Sequence, residues 1–144
     1  MEYFVTGKAG NRVFVLRLDP GDMVLESINE LIAKEEIKDA AVISAIGTLD
    51  RCVLHMVTTT DYPPKEHFER WEDTPLELAS IDGIIADGKP HLHAVVSDTE
   101  KAYAGHLENE CRTLYLGEIV IMELGSMDLT RVYNEKKVLK LVKK

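Results

Sequence analysis

Hydrophobic and polar residues alternate along much of this chain. In the segment from Arg12 to Leu18, every second residue from Phe14 onward is large and apolar. A period of two places these side chains on one face of an extended chain. The segment is therefore predicted to be a β-strand with one buried face.

The apolar residues then change to a three- and four-residue spacing. A turn sequence, Asp-Pro-Gly-Asp, occupies 19–22, and its last residue, Asp22, is placed to cap a helix. The apolar positions that follow are Val24, Leu25, Ile28, Leu31 and Ile32. This spacing predicts one main amphipathic helix over about 22–36, with one face against a sheet.

Strand patterns dominate the rest of the chain. The predicted strands are 39–46, 51–59, 76–86, 91–97, 101–105, 113–124, 127–133 and 138–142. Residues 60–74, which include several aromatic side chains, are predicted to be an excursion between strands. These aromatics either line a pocket or subunit contact or anchor the loop, and anchoring is favoured because irregular loops need it. Together the elements predict one predominantly β, α+β domain over residues 1–144.

Composition and charge narrow the class of protein. The 144 residues are 45% hydrophobic, which is enough for one domain with a substantial core. Seventeen Lys and Arg against twenty-five Asp and Glu give a net charge of -8, which disfavours binding to nucleic acid. No leader peptide pattern or apolar stretch of membrane-spanning length is present, so a cytoplasmic location is expected.

Two smaller groups of residues each have two interpretations. Five lysines within 136–144 either contact an anionic partner or are solvated charge, and solvated charge is the default. Cys52 and Cys111 lie in apolar strand-like segments and are interpreted as reduced core thiols. The alternative for Cys111, five residues beyond His106, is a role as a metal ligand.

Three histidines carry the main functional signal. His91 and His93 stand two apart in a predicted strand, so they project from one face, and His106 follows on the next strand. Three neutral imidazoles can form three corners of a tetrahedral zinc site, with the fourth open to water or substrate. The alternative is three separate surface or hydrogen-bonded histidines, because short histidine motifs often match by chance.

Neighbouring residues help to decide between a metal site and three separate histidines. Gly105, immediately before His106, lets the backbone bend or approach another strand closely, although an ordinary strand kink is also consistent with it. Imidazoles that bind metal are usually oriented by a carboxylate or carbonyl. Glu77 and Glu118, both within predicted strands, are candidates for this role or are simply exposed.

Several catalytic classes lack their sequence signature in this chain. There is no nucleophile elbow, no phosphate-binding glycine loop and no Cys-x-x-Cys pair. Nothing in the sequence ties the two other histidines, His55 and His67, to the three above. The motifs therefore do not decide whether the chain is an enzyme.

In their order along the chain, these features resemble the plants and prokaryotes conserved domain, abbreviated PPC. The matching segments are Arg12 to Leu18 with Pro20-Gly21-Asp22, Ala45-Ile46-Gly47, Leu76-Glu77-Leu78, Ile81-Asp82-Gly83, His91-Leu92-His93-Ala94, Gly105-His106-Leu107 and Glu118-Ile119-Val120. They span nearly the whole chain. The His-Leu-His-Ala and Gly-His-Leu motifs, in this order, are the most specific part.

The resemblance implies an α+β domain with a strongly bent, predominantly antiparallel or mixed sheet, usually assembled as a homotrimer. In stand-alone prokaryotic members the three matching histidines look like zinc ligands. Plant members carry AT-hooks and bind DNA, but this chain has no Arg-Gly-Arg-Pro hook. The histidine pattern is also similar to that of acetolactate decarboxylase, a zinc lyase, whose other catalytic residues are not matched here.

Three functions remain open on the sequence. The leading hypothesis is a zinc-binding, self-associating protein with a regulatory or protein-interaction role and His91, His93 and His106 as ligands. The second is a zinc-dependent lyase or hydrolase acting on a small carbonyl or carboxylate substrate, with Glu77 or Glu118 as the proton-transfer group. The third is direct binding to DNA, aided by the basic C-terminus.

Overall fold

A seven-stranded antiparallel sheet and one helix form most of the structure, a computed structural model that describes residues 1–125 and 127–144. The strands are β1 (Glu2–Thr6), β2 (Val13–Leu18), β3 (Ala40–Val57), β4 (Glu66–Ala86), β5 (Lys89–Ser97), β6 (Ala102–Leu107), β7 (Arg112–Glu123), β8 (Leu129–Tyr133) and β9 (Leu139–Lys143), and the helix is α1 (Val24–Lys34). The sheet has the order β1-β2-β7-β3-β4-β5-β6, and β8 and β9 form a separate hairpin. The predicted α+β class with one main helix is confirmed.

The sheet bends until its last strand meets a central one. β6 pairs with β5 and also with β3, where His55 stands opposite His106. The regular pairing is interrupted at 49–51 in β3 and at 78–80 in β4, and such irregularities let long strands curve. The bend thus closes β3, β4, β5 and β6 on one another and brings distant segments of the chain together.

The core lies where the two hydrophobic spacings predict it. The inward-facing side chains of β2 are at most 1% exposed, which confirms the alternation. The buried residues of α1 are Val24, Ser27, Ile28, Leu31 and Ile32. Burial of one such large apolar side chain contributes roughly 1.5–3 kcal/mol to folding. In the described part of the chain, no helix is both long and apolar enough to cross a membrane.

The two cysteines are core residues, as predicted. Both are buried and free, with their sulfur atoms 3.8 Å apart. The Sγ of Cys111 accepts the backbone N–H of Val53 at 3.3 Å. Contact with Cys111, together with burial, raises the pKa of the Cys52 thiol. These contacts favour the core interpretation of Cys111 over a role as a metal ligand.

The start of the helix differs from the prediction. α1 begins at Val24, and Met23 occupies the cap position without a side-chain hydrogen bond. Asp22 does not cap the helix, because its Oδ2 accepts the backbone N–H of Asp19 at 2.9 Å within the preceding turn. Aspartate can bond to the backbone of its own turn as well as to a helix N-terminus, and here it stabilises the turn.

The predicted excursion at 60–74 is wrong over its second half. Residues 66–72 belong to β4 and pair with 51–57 of β3. The segment is too polar to be recognised as a strand from its sequence, because charged cross-strand pairs replace apolar ones. In one such pair, Nε of Arg51 lies 2.7 Å from Oε2 of Glu72. The predicted strands at 39–46 and 51–59 are parts of one strand, β3, and β1 was not predicted at all.

The contacts of two aromatic residues of β4 favour the anchoring role, since neither residue lines the cavities described below. Trp71 packs against Tyr103 with ring centroids 4.8 Å apart, which anchors β4 to β6. Phe68 lies with its ring centroid 5.1 Å from that of His55. One aromatic residue therefore anchors the strand, and the other contacts a histidine.

The lysines near the C-terminus are part of an ordered hairpin. Lys140 and Lys143 lie in β9. The Nζ of Lys136 is 4.4 Å from the centroid of the Tyr62 ring, and Lys144 forms an ion pair with Asp87. This basic segment is therefore part of a structured hairpin, and two of its five lysines contact side chains of other segments.

Candidate metal centre

The closed end of the sheet brings together the three histidines predicted from the sequence. His93 of β5 stands directly opposite His106 of β6, and His91 lies two residues away on the same face of β5. Their ring centroids are 5.5 Å apart for His91 and His93, 5.1 Å for His91 and His106, and 5.6 Å for His93 and His106. Leu92 and Ala94 between and beside them are buried, as the alternation predicts.

A fourth histidine, which the sequence did not connect to the others, joins the cluster. His55 of β3 stands opposite His106, and their rings stack with centroids 4.5 Å apart. Gly105 makes this approach possible, because a Cβ there would lie only 2.7 Å from the backbone oxygen of His55. The expectation that Gly105 permits close backbone approach therefore agrees with the structure. His67 lies outside the cluster, beside Glu69.

One carboxylate contacts two of these histidines. The Oε1 atom of Glu108 lies 2.6 Å from Nδ1 of His55 and 2.8 Å from Nδ1 of His106. A carboxylate only accepts hydrogen bonds, so in the neutral form of each ring Nδ1 carries the proton and Nε2 has a free lone pair. Glu108 thus has the relation to His106 that an orienting carboxylate has to a metal-binding imidazole.

The two carboxylates singled out from the sequence lie elsewhere. Glu77 is exposed and stands opposite Ser97, which is four residues along β5 from His93, or about 13 Å at the usual rise of a strand. Glu118 is exposed on β7, opposite Ile46. Both side chains are solvated on the surface of the sheet. Glu108, in contrast, directly follows β6, and its carboxylate contacts the imidazole of His106.

The electrostatic environment favours neutral imidazoles. Loss of solvent lowers the pKa of His91 below its ordinary value, and the neighbouring charge of His106 lowers it further. The pKa of His93 is lowered by the same two causes, in the same order. Because the neutral ring is the form that binds a metal, these shifts keep the ligand nitrogens available at neutral pH.

The cluster offers two overlapping sets of metal ligands. One is the predicted set of His91, His93 and His106, which supplies three nitrogen atoms. The other is His55, His106 and Glu108, whose ligand atoms all lie within 4.8 Å of one another. Imidazole nitrogen suits zinc, copper, iron and nickel, so the chemistry of the donors fits a transition metal. His106 belongs to both sets.

Two adjoining open cavities surround the histidines. One has a volume of about 750 Å³ and lies between the loop that carries Pro63 and Pro64 and the β8–β9 hairpin. The second, of about 690 Å³, lies between the hairpin and the start of β5. His55, His91 and His106 line both. Each is large enough for a small organic molecule next to the imidazoles.

A bent antiparallel sheet with a histidine cluster beside two open cavities defines the class of this α+β protein. The model of the Plants and Prokaryotes Conserved (PCC) domain matches residues 5–125, so the chain belongs to this family. The resemblance given by the histidine and glycine motifs is therefore confirmed.

Two solved structures share the fold of this chain, and a third protein is similar in sequence. A metal-containing protein from Archaeoglobus fulgidus is 27% identical, with a TM-score of 0.74 over 96% of this chain and 94% of its own. A protein from Bacteroides thetaiotaomicron, described as a candidate DNA-binding protein, is 16% identical, with a TM-score of 0.79 over 97% and 96% of the two chains. The bifunctional protein GlmU of a Synechococcus strain is 28% identical over 114 residues, and the match spans 78% of this chain but 17% of that protein.

Proposed function

We propose that this chain binds one divalent metal ion, with zinc as the first candidate, through His91, His93 and His106. The observation that carries the proposal is the convergence of these three imidazoles from two paired strands. Three nitrogen ligands are a common zinc set and leave a fourth position open. The metal-containing relative from Archaeoglobus supports metal binding by this fold.

Each histidine has a distinct part in the proposed site. His91 and His93 are held at fixed separation by one rigid strand, and β6 delivers His106 from the opposite side. Glu108 holds His106 with Nε2 free to bind. Zinc bound there supplies a Lewis acid toward an oxygen atom at its open position.

Zinc content of purified variants tests the metal site. We expect about one zinc ion per chain after dialysis in the wild-type protein, the number expected for one site with three ligands. His91→Ala and His93→Ala are expected to lose most of this zinc because two ligands cannot hold it against dialysis. His67→Ala is the matched control, since it removes an exposed histidine outside the cluster. Equal zinc in all four proteins would contradict the proposal.

We also propose that the protein self-associates, with a regulatory or protein-interaction role. The outer face of the sheet, opposite the core, carries exposed apolar side chains on four neighbouring strands. These are Phe4 of β1, Val15 of β2, Met122 of β7 and Ile46 of β3. Exposed apolar side chains on one face of a sheet favour a subunit contact, and the family resemblance makes a trimer the expected assembly. The net charge of -8 disfavours direct DNA binding as the main role.

Light scattering tests the assembly. We expect a mass of three chains for the wild-type protein and of one chain for Ile46→Lys, because a buried unpaired charge is unfavourable at a subunit contact. Val132→Lys, which changes an exposed apolar residue on the hairpin, should leave the trimer intact. A monomeric wild-type protein would overturn this part of the proposal, as would a trimer that tolerates Ile46→Lys.

A further inference from the structure

The β8–β9 hairpin lies outside residues 5–125, the part that matches the family, yet it lines the histidine pocket. Its side chains Tyr133 and Leu139 face both cavities. The pocket is therefore completed by a segment that follows the matched domain, and the chemistry of that segment bears on what the pocket binds.

One side chain of the hairpin, Arg131, is held beside the histidines. Its Nη2 donates to the backbone oxygen of Ile84 at 2.8 Å, and Ile84 is the residue opposite His91 in the sheet. Its Nη1 donates to the backbone oxygen of Lys89 at 2.9 Å, two residues before His91. These two bonds fix the guanidinium group at the edge of the metal site.

Among residues 1–125 and 127–144, no acidic side chain pairs with this guanidinium group. Arg131 has five N–H groups, and beyond the two bonds above it has no hydrogen-bond or ion-pair partner among residues 1–125 and 127–144. Within the described residues, the cavity that it lines with His55, His91 and His106 also contains Lys89 and no carboxylate. A half-buried, unpaired cation favours an anionic ligand.

We propose that the pocket binds a small carboxylate, whose carboxylate group pairs with Arg131 while a neighbouring oxygen atom reaches the metal. The inference rests on the proposed metal site. A guanidinium group matches the planar geometry of a carboxylate. The remaining walls of this cavity are largely apolar, with Ala86, Pro90 and Val132 among them. They suit the small organic part of such an anion better than a phosphate, which has no apolar part to pack against them.

Calorimetric titration with lactate, and with lactamide as its uncharged counterpart, tests the inference. Lactate is expected to bind the zinc-loaded protein, and Arg131→Gln is expected to weaken this binding by about tenfold to a hundredfold, the usual effect of losing a charged hydrogen bond. Arg131→Lys, which keeps the charge, should fall in between. Lys140→Gln is the matched control because it removes a charge from the same hairpin but does not line either cavity.

The outcomes separate this inference from the metal assignment. Equal lactate affinity in wild-type and Arg131→Gln proteins would overturn it, as would equal binding of lactate and lactamide or tighter binding of inorganic phosphate. Zinc content is measured on the same samples. If the chain retains no zinc, the metal proposal fails, whereas Arg131-dependent lactate binding to the metal-free protein would still support the carboxylate site.

Discussion

Replacing Glu123 with alanine is expected to lower the free energy of unfolding by about 3 kcal/mol. The Glu123 side chain is 8% exposed, and its Oε1 lies 2.6 Å from Nη2 of Arg12. Its Oε2 accepts the backbone N–H groups of Gly10, at 2.9 Å, and of Arg12, at 3.0 Å. Alanine would leave two backbone donors and a largely buried guanidinium group without this acceptor.

Removal of one partner of a buried ion pair usually lowers the free energy of unfolding by about 3–5 kcal/mol. The value expected for Glu123→Ala is at the lower end of this range because Arg12 keeps a second partner. Its Nη1 donates to Oε2 of Glu35 at 2.7 Å. Urea unfolding measures the effect. Glu30→Ala in α1 is the control, and it should change the free energy of unfolding by no more than about 0.5 kcal/mol, because Glu30 is exposed. Equal stability of the two variants would contradict the assigned role of Glu123.

The same ion pair gives the stability a defined pH dependence. The hydrogen bond from Arg12 lowers the pKa of Glu123 below its ordinary value. Because the folded-state pKa is the lower one, the stabilisation is fully present above the unfolded-state pKa, about 4.3, and is lost as the pH falls through the folded-state value. The difference between wild-type and Glu123→Ala proteins should therefore be largest near neutral pH and shrink in acid. A difference that stays constant down to about pH 3 would argue against this linkage.

Local hydrophobic spacing predicted the elements that carry the core. The alternation from Phe14 to Leu18 and the helical spacing from Val24 to Ile32 each describe a segment with one apolar face, and both faces are buried. The strand at residues 66–72 was not predicted in this way, because charged residues contribute to its pairing with β3. A strand stabilised by ion pairs on an exposed surface has no apolar period to detect.

The sequence predicted the part of the candidate site that short motifs mark, but not the part that depends on the pairing of distant strands. His91 and His93 share a strand face, and the Gly-His motif marks His106, so these three could be connected from the sequence. His55 and Glu108 could not, because their positions depend on the pairing of β3 with β6, between residues about fifty positions apart. Gly105 was the one available signal of that close approach, but it does not name the partner strand.

Replacing Glu108 with glutamine is expected to weaken zinc binding by about tenfold to a hundredfold, the usual effect of losing a carboxylate that orients a metal-binding histidine. The Oε1 of Glu108 lies 2.6 Å and 2.8 Å from the Nδ1 atoms of His55 and His106. The neutral amide is a weaker acceptor than a carboxylate, so it holds the His106 ring less firmly and lowers the basicity of its Nε2. Competition with a zinc-binding dye measures the affinity.

Glu77→Gln is the matched control, because it makes the same chemical change at an exposed carboxylate remote from the cluster, and its zinc affinity should equal that of the wild-type protein.

His55→Ala then distinguishes the two ligand sets. If His91, His93 and His106 hold the metal, this variant retains zinc with modestly reduced affinity, since only a stacked neighbour is lost. If His55, His106 and Glu108 hold it, zinc is lost from His55→Ala but kept by His91→Ala, and Glu108 is itself a ligand. Undiminished zinc affinity in Glu108→Gln would contradict both arrangements, because each of them gives this carboxylate a direct role at the metal or at its ligand.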